Sequence, residues 1–268
     1  MIEPVYLRYV HDSLSKGVLN AENAAALPQG FIGLYEQEFT QKTPVSERKK
    51  VLNQLALWAL FKGPVSAKLA AAVLEIDEEQ IKTLIDRYSS WFNSPESGKY
   101  QLYHERIKVF LLSKTNDSLI EFNTESIISL CRQVLKNSLD YLTEFVEFSL
   151  KYYSSHLYDL TFFKPKYFQE LKSYSLDTKF IEMNFTYLKS LNYFIPSIEF
   201  VLKKSIQKNN DDDFFLFLDQ KLKVKGLIYE KLKSSFEYEL DDFVNHFLNI
   251  GLRKDEIFFK QYFLLTTF

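Results

Sequence analysis

The side chains with the greatest capacity for chemistry are four histidines and one cysteine, spread over 268 residues. His104 stands out because it lies in KYQLYHERIKVFLLSK (residues 99–114), where a short polar-apolar strand leads into an amphipathic helix. An imidazole donor at the positive end of a helix can bind an anionic oxygen, which makes His104 a candidate anion ligand. The alternative is that His104 merely begins the helix.

The other reactive side chains lack partners at catalytic or metal-binding spacing. His11, His156 and His246 are far apart and show no H-x-x-x-H pattern, so we interpret them as ordinary helix residues. Cys131 is the only cysteine, which excludes an internal disulfide and a thiolate metal cage. No Ser/His/Asp or Cys/His grouping can be identified. We therefore expect no enzyme activity and no metal site in this chain.

The acidic stretch NNDDDFF (residues 209–215) has the composition of a calcium loop but not its pattern. It lacks the alternating acids, the central glycine and the final glutamate of an EF-hand loop. We predict an acidic loop between two helices.

Charge and composition set limits on the partners. A net charge of −2 gives no general attraction to phosphate polymers or anionic lipid. The N-terminal MIEPVYLRYV does not have the pattern of a signal peptide, and no window approaches the roughly 18 apolar residues of a membrane span. With a single cysteine, these features predict a cytoplasmic protein without a membrane role.

The elements that must position His104 belong to the first of two differently built regions, which meet near residue 116. Of the 25 phenylalanines only five precede that point, whereas five of the seven glycines do. We predict a helical lead-in over residues 1–42, with one helix at residues 4–16 and another in LPQGFIGLYEQEF (residues 27–39). In the second helix Leu34 and Tyr35 belong to one apolar stripe, and Thr43 begins the next break.

Residues 43–115 predict a winged-helix domain, in which three helices precede a β-hairpin. The first helix, in SERKKVLNQLALWALF, ends at Gly63-Pro64, and the second is short, with Ser66 as a candidate cap. Asp77 opens the third, DEEQIKTLIDRYSSWF. Two short strands then flank a Pro/Gly turn in SSWFNSPESGKYQLYH.

Residues 116–268 predict helix throughout. The segments FVEF at 145, FIEM at 180 and FFLF at 214 are 35 and 34 residues apart, a distance that suits a two-helix repeat. The predicted fold is therefore mainly α: a winged helix with a small β-hairpin, followed by an irregular α-helical repeat array.

In the order of their pieces, residues 1–115 resemble the part of STAND ATPases, the NACHT and NB-ARC type signalling NTPases, that follows the nucleotide-binding core. EPVYLRYV is similar to the proline-led helix after the ATPase sheet, and LPQGFIGLY is similar to the entry to the next helix. RKKVLNQLALWALFKGPVSAKLAAAVL and YQLYHERIKVFLL resemble the helices of the winged helix and its strand-His-helix element. The sequence contains no phosphate-cradling GxxxxGK[ST] loop. It therefore resembles the C-terminal part of a larger switch.

The resemblance implies roles for two residues in a full-length parent. His104 would approach the β-phosphate of bound ADP and hold the closed state. Pro4 would contact the adenine, although Ile2 stands where the family has glycine. ADP or ATP would bind only if the chain were joined to a P-loop core, in cis or in trans, so no cofactor is expected for this chain itself.

The expected function is the regulatory and ligand-sensing portion of a STAND-type signal-transduction switch, in which the helical array binds a protein. Two alternatives stay open: a free-standing helical-repeat adaptor for protein interactions, and a winged-helix DNA-binding regulator. The second would place the third helix in the major groove, yet DEEQIKTLIDR carries four acidic residues against two basic ones. Nucleic acid is therefore not an expected partner.

Overall fold

The computed structural model describes residues 30–235, together with His11 and Ser15. The described chain is mainly helical and has one small three-stranded antiparallel sheet, which confirms the mainly α class predicted from the sequence. It divides into two compact units between Phe148 and Ser149. Among its described helices, none combines the length and the apolar character needed to cross a bilayer.

Within residues 30–136, the first unit contains six helices and all three described strands. In chain order these are α1 (Gly30–Lys42), α2 (Arg48–Leu60), β1 (Val65–Ser66), α3 (Ala67–Leu74), α4 (Glu78–Arg87), β2 (Phe92–Glu96), β3 (Lys99–Leu102), α5 (Glu105–Ser113) and α6 (Asp117–Lys136). The division between the units falls within the next helix, α7 (Thr143–Leu160).

The helix boundaries follow local sequence signals. Helix α2 ends before Gly63-Pro64, as predicted. The Ser66 hydroxyl caps α3 by accepting a hydrogen bond from the Leu69 N–H at 3.1 Å. Asp77 occupies the N-cap position of α4, but its side chain makes no capping bond there. Both predicted helix starts are therefore in place, although only the serine caps through its side chain.

The sheet has the strand order β1-β3-β2, and all its pairs are antiparallel. Strands β2 and β3 form the predicted hairpin, and Gly98 at its turn has a φ of +73°, where a side chain would be strained. The sequence analysis missed β1. With only two residues, Val65 and Ser66, this strand is too short to show an alternating pattern.

The core of the first unit is rich in aromatic side chains. The Trp91 ring lies 5.8 Å from Phe110 and 5.7 Å from Tyr35, measured between centroids, and all three side chains are buried. Tyr35 belongs to α1 and Phe110 to α5, so these rings attach α1 to the rest of the unit.

The second unit is entirely helical as far as it is described. After α7 it contains α8 (Lys166–Leu176), α9 (Thr178–Met183), a π-helical turn (Asn184–Leu188), α10 (Ile195–Gln207) and α11 (Asp211–Ser235). Helix α10 packs against both α8 and α11. Ser175, Ser197 and Ser205 are fully buried and donate their hydroxyls to carbonyls of the preceding turn. These internal bonds let small polar side chains occupy a helix interface.

Helix α6 packs on α2 and α3, within the first unit. It begins directly after Asn116, whose side-chain oxygen accepts from the Leu119 N–H at 2.9 Å. The sequence placed a domain boundary here, between residues 115 and 116, and a lead-in boundary at 42. Both boundaries are statements about which parts fold independently, and they stay predictions. The contacts of α6 are with α2 and α3, which precede it in the chain.

Candidate functional site

His104 lies at the junction between β3 and α5, as the sequence predicted. Its backbone is extended, with φ −139° and ψ 140°, and its side chain is half-buried. The imidazole Nδ1 accepts a hydrogen bond from the Arg106 N–H at 3.1 Å. His104 is therefore the N-cap residue of α5, a position usually occupied by Ser, Thr, Asp or Asn.

The capping bond determines which ring nitrogen can donate. Because Nδ1 of His104 accepts, the proton of a neutral imidazole lies on Nε2. The two interpretations of this histidine are therefore compatible, since one nitrogen caps the helix while the other is a donor suited to an anionic oxygen.

The surroundings of His104 carry aromatic and basic side chains. Tyr103 is 58% exposed beside it. In the first turn of α5, Lys108 forms an ion pair with Glu105 at 3.1 Å. Burial and the Glu38 carboxylate raise the pKa of Tyr35 to about 12. The charge of Arg106 acts in the opposite direction on the same pKa, so Arg106 lies near Tyr35. Close to His104 in sequence, the start of α5 therefore carries an exposed tyrosine and two basic residues, of which Lys108 is paired with Glu105.

The remaining candidate residues do not add to this site. Pro4 and His246 lie outside the described residues. The backbone oxygen of His11 accepts from the Ser15 hydroxyl at 2.8 Å. His156 is 1% exposed within α7 of the second unit, and Cys131 is buried in α6. Over the range that the structure describes, no three His, Cys, Asp or Glu side chains come together in a way that could hold a metal ion.

Of the acidic stretch at 209–215, residues 209 and 210 lie in the turn between two helices and residues 211–215 are helical, so the predicted loop was wrong for its three aspartates and two phenylalanines. Helix α11 begins at Asp211, which places three aspartates in its first turn, where the helix dipole favours negative charge. Asn210 caps this turn by accepting from the Asp213 N–H at 3.1 Å. The Asp213 carboxylate in turn binds Lys172 at 2.8 Å. These acids have a structural role at a helix start.

The sequence analysis overlooked a buried carboxylate, Glu38, near the C-terminal end of α1. Its oxygens accept from the Trp91 ring N–H at 2.8 Å and the Ser90 hydroxyl at 2.6 Å, and Lys42 lies at 2.6 Å. Burial alone would raise the pKa of Glu38, but the bonds from Lys42, Ser90 and Trp91 lower it below its ordinary value. Glu38 lies four residues after Leu34 on the same apolar stripe, a position from which its burial could have been predicted.

Comparisons of this chain with protein-family models, with curated proteins and with solved structures found no match. The site is therefore interpreted from its own residues: one histidine with a capping and a donating nitrogen, next to an exposed tyrosine and an arginine.

Proposed function

We propose that residues 43–115 act as the winged-helix regulatory module of a STAND-type signalling NTPase switch, and that the helical region after residue 115 forms a ligand-sensing array. The observation that carries this proposal is the position of His104, which follows the last strand of the sheet and caps the next helix. The chain would be non-catalytic by itself and would work in the cytoplasm.

The topology around the sheet supports the winged-helix assignment. A helix, a strand and two helices precede a hairpin, and the first strand pairs with the second strand of that hairpin. In this interpretation α2, α3 and α4 are the three helices, and the turn around Gly98 is the tip of the wing.

The positions of the recurring segments support a repeat array. FVEF lies in α7, FIEM in α9 and FFLF in α11, so the three matches fall on alternate helices, as two-helix repeats require. Helix α9 has only six residues and continues into a π-helical turn, which makes such an array irregular.

In this proposal the Nε2–H of His104 donates to a β-phosphate oxygen of ADP bound to a separate P-loop core. The bond would favour the closed state. A ligand on the array would favour a conformation in which His104 is withdrawn from the nucleotide, so that the module couples sensing to nucleotide exchange.

The DNA-binding alternative is disfavoured by the ion pairs of α4 and the hairpin. Lys82 lies 3.1 Å from Glu78 and 2.8 Å from Glu79, and Lys99 lies 2.7 Å from Glu96. Because these cations are bound by carboxylates, the third helix and the wing offer little positive charge to phosphates.

The test is to co-express the chain, fused or separate, with a STAND-type P-loop core, taken from the upstream reading frame if the genome encodes one there, and to measure the ADP that remains bound after purification. We expect the wild-type complex to retain ADP and both His104→Ala and His104→Asn to lose most of it. The asparagine variant keeps a side-chain cap for α5, so its loss would be attributable to the missing phosphate contact.

Two results would contradict the proposal. Equal retention of ADP by all three proteins would remove the role of His104. A genome without a P-loop reading frame upstream would favour the free-standing adaptor, which needs no nucleotide.

A further inference from the structure

A surface of the second unit combines lysines with aromatic rings. We call it the lysine–aromatic face, and it consists of Lys203, Lys204, Lys208, Tyr158, Phe162 and Phe168. The ammonium groups of Lys203, Lys204 and Lys208 lie 4.3–5.9 Å from the centres of the Tyr158, Phe162 and Phe168 rings, respectively. Lys172 also lies 5.6 Å from the centre of Phe168, and of the three rings only Phe162 is exposed, while Tyr158 and Phe168 form the buried floor of the face. Cation–π contacts of this kind hold the lysine heads in place and leave their positive charge intact.

The charge of this face is not neutralised by carboxylates. None of its three lysines forms an ion pair with another residue within the described part of the chain. Other lysines of the same unit do, since Lys172 binds Asp213 at 2.8 Å and Lys221 binds Glu199 at 3.0 Å. The face therefore presents positive charge to an incoming anionic group.

Exposed apolar surface borders this charge. Phe162 is 62% exposed and Phe163 is 45% exposed, in the turn that follows α7. Adjacent exposed phenylalanines are unusual on a soluble surface and mark sites of interaction. A partner that fits this face would combine carboxylates with at least one apolar side chain.

The spacing of the lysines defines the partner further. Lys204 and Lys208 are one helical turn apart, and the Lys208 N–H donates to the Lys204 carbonyl at 3.1 Å. One turn corresponds to about 6 Å along the axis. Alternate side chains of an extended strand are about 6.6–6.8 Å apart on one side. Two carboxylates at positions i and i+2 of an extended segment would therefore match the two ammonium groups.

We propose that the lysine–aromatic face binds an extended acidic segment of another protein, with acidic residues at alternate positions and an apolar side chain against Phe162 and Phe163. This inference rests on the proposed function, in which the helical array senses a protein ligand, and it specifies where and by what chemistry that ligand is recognised.

The boundaries of the face favour a short acidic segment over a polyanion or a membrane. Asp211 and Asp212 are exposed at the start of α11, three and four residues after Lys208. A nucleic acid strand or a planar anionic lipid surface would extend beyond the lysines to these carboxylates.

The inference can be tested by fluorescence anisotropy with the full chain and a labelled peptide of alternating Glu and Ser around one Phe. A second peptide carries Gln in place of every Glu. We expect the Glu peptide to bind about tenfold more tightly than the Gln peptide. The double variant Lys204→Gln/Lys208→Gln should lose about tenfold in affinity for the Glu peptide, and Phe162→Ala should lose severalfold.

The matched control is the double variant Lys221→Gln/Lys223→Gln, which removes the same charge from two lysines of α11 that are already paired with carboxylates. It should change the affinity less than twofold, and circular dichroism should show that all variants are folded. An equal loss in the control, or no binding by the wild type, would overturn the inference.

Two further probes compare the other anionic partners, an oligo-dT strand and phosphatidylserine vesicles. Tighter binding of either probe than of the Glu peptide at the same salt concentration, lost in the Lys204/Lys208 variant, would reassign the face to nucleic acid or lipid. The assay needs neither nucleotide nor a P-loop core. If the Glu peptide does not bind, the ADP-retention result for His104 is unaffected. If ADP retention does not depend on His104, the peptide-binding result is likewise unaffected.

Discussion

At the scale of single residues, one ring nitrogen of His104 has an observed structural role, and the proposed phosphate contact would belong to the other. The Nδ1 atom accepts from the first turn of α5, and the protonated Nε2 atom of the neutral ring is a donor. The usual N-cap residues Asn, Ser and Thr also carry a donor group, but on a shorter side chain than histidine.

Substitution of His104 should separate these two roles. We expect His104→Ala to lower the free energy of unfolding by about 0.5–1 kcal/mol, because the Arg106 N–H loses its side-chain acceptor. His104→Asn should stay within about 0.5 kcal/mol of the wild type, since its side-chain oxygen can replace Nδ1. Urea unfolding followed by circular dichroism measures both values. Equal stability of the alanine variant and the wild type would show that the cap does not contribute.

The Glu38 carboxylate should make the stability of the first unit dependent on acid. Because its pKa in the folded state lies below the ordinary value of 4.5, the unfolded chain takes up the proton first as the pH falls. The contribution of Glu38 is therefore complete above about pH 4.5 and is lost as the pH falls through the lower folded-state pKa. We expect Glu38→Gln to cost about 1–3 kcal/mol at pH 7, through loss of the charged hydrogen bonds to Ser90 and Trp91.

The glutamine variant should also show a smaller loss of stability between pH 6 and pH 3 than the wild type, measured by urea unfolding at each pH. Glu36→Gln is the matched control, since Glu36 lies on the surface of the same helix in an exposed pair with Lys114 at 2.7 Å. It should change stability by less than about 1 kcal/mol. Parallel pH profiles for the wild type and Glu38→Gln would contradict the assigned role.

These two residues show what sequence patterns can and cannot reveal about a site. The strand-to-helix transition around His104 identified its position, because both elements have clear periodicity. The partners of Glu38 come from residues 90 and 91, more than 50 positions away, and no local pattern predicts such a contact. The apolar stripe and the lysine four residues later were local signals for burial of Glu38 and for its ion pair with Lys42, but they gave no sign of the bonds from Ser90 and Trp91.

At the scale of elements, α1 is an integral part of the first unit. Its Leu34 is 2% exposed, its Tyr35 ring lies 5.9 Å from Phe110, and Glu38 joins it to the turn at Ser90 and Trp91. The sequence grouped this helix with a separate lead-in. The structure gives it a role in covering the aromatic core next to α5.

Truncation of Leu34 should therefore destabilise the whole first unit. We expect Leu34→Ala to lower the free energy of unfolding by about 2–5 kcal/mol, because it removes a buried side chain and leaves a cavity. Ile32→Ala, on the 48% exposed position of the same helix, should cost less than about 1 kcal/mol. Thermal unfolding of both variants gives the comparison. A similar, small effect of the two substitutions would indicate that α1 is only loosely attached.

The sequence predicted elements with strong periodicity better than those defined by tertiary contact. Helix α2, the hairpin and the start of α3 at Ser66 were all placed correctly. Strand β1 forms because Val65 pairs with Tyr100 of β3. Tyr100 is far from Val65 in the sequence, so no local pattern shows this pairing. In the same way, the apolar residues of α6 predicted a helix but not that it would pack on α2 and α3.

At the scale of the whole molecule, the change in composition near residue 116 does not coincide with the division between compact units. Phenylalanine becomes frequent after 116, but α6 contains only one, Phe122, and buries Ile127, Ile128, Val134 and Leu135 instead. These aliphatic side chains belong to a helix that packs in the first unit. Composition therefore indicated two regions without showing which helices belong to each.

Limited proteolysis can locate the division in solution. The sequence analysis implied an early cut near Thr115-Asn116, but both residues are held by hydrogen bonds, the threonine to the Leu112 carbonyl and the asparagine to the Leu119 N–H. Leu139, in the short turn Ser138–Asp140 after α6, is 93% exposed. We expect chymotrypsin to cut first within residues 137–142, because exposed connections are cleaved before packed helices.

Intact mass spectrometry of the earliest fragments should show an N-terminal product that ends within this turn and retains α6. The variant Leu139→Glu should remove cleavage after residue 139 without changing thermal stability, since the side chain is exposed and contributes little to folding. Cleavage after Tyr141 and Leu142 in the same connection should persist. A first cut at residues 115–116 with survival of 116–268 would instead establish the tail as an independent module that includes α6. In that case the packing of α6 on α2 and α3 would be a weak contact between domains rather than part of one core.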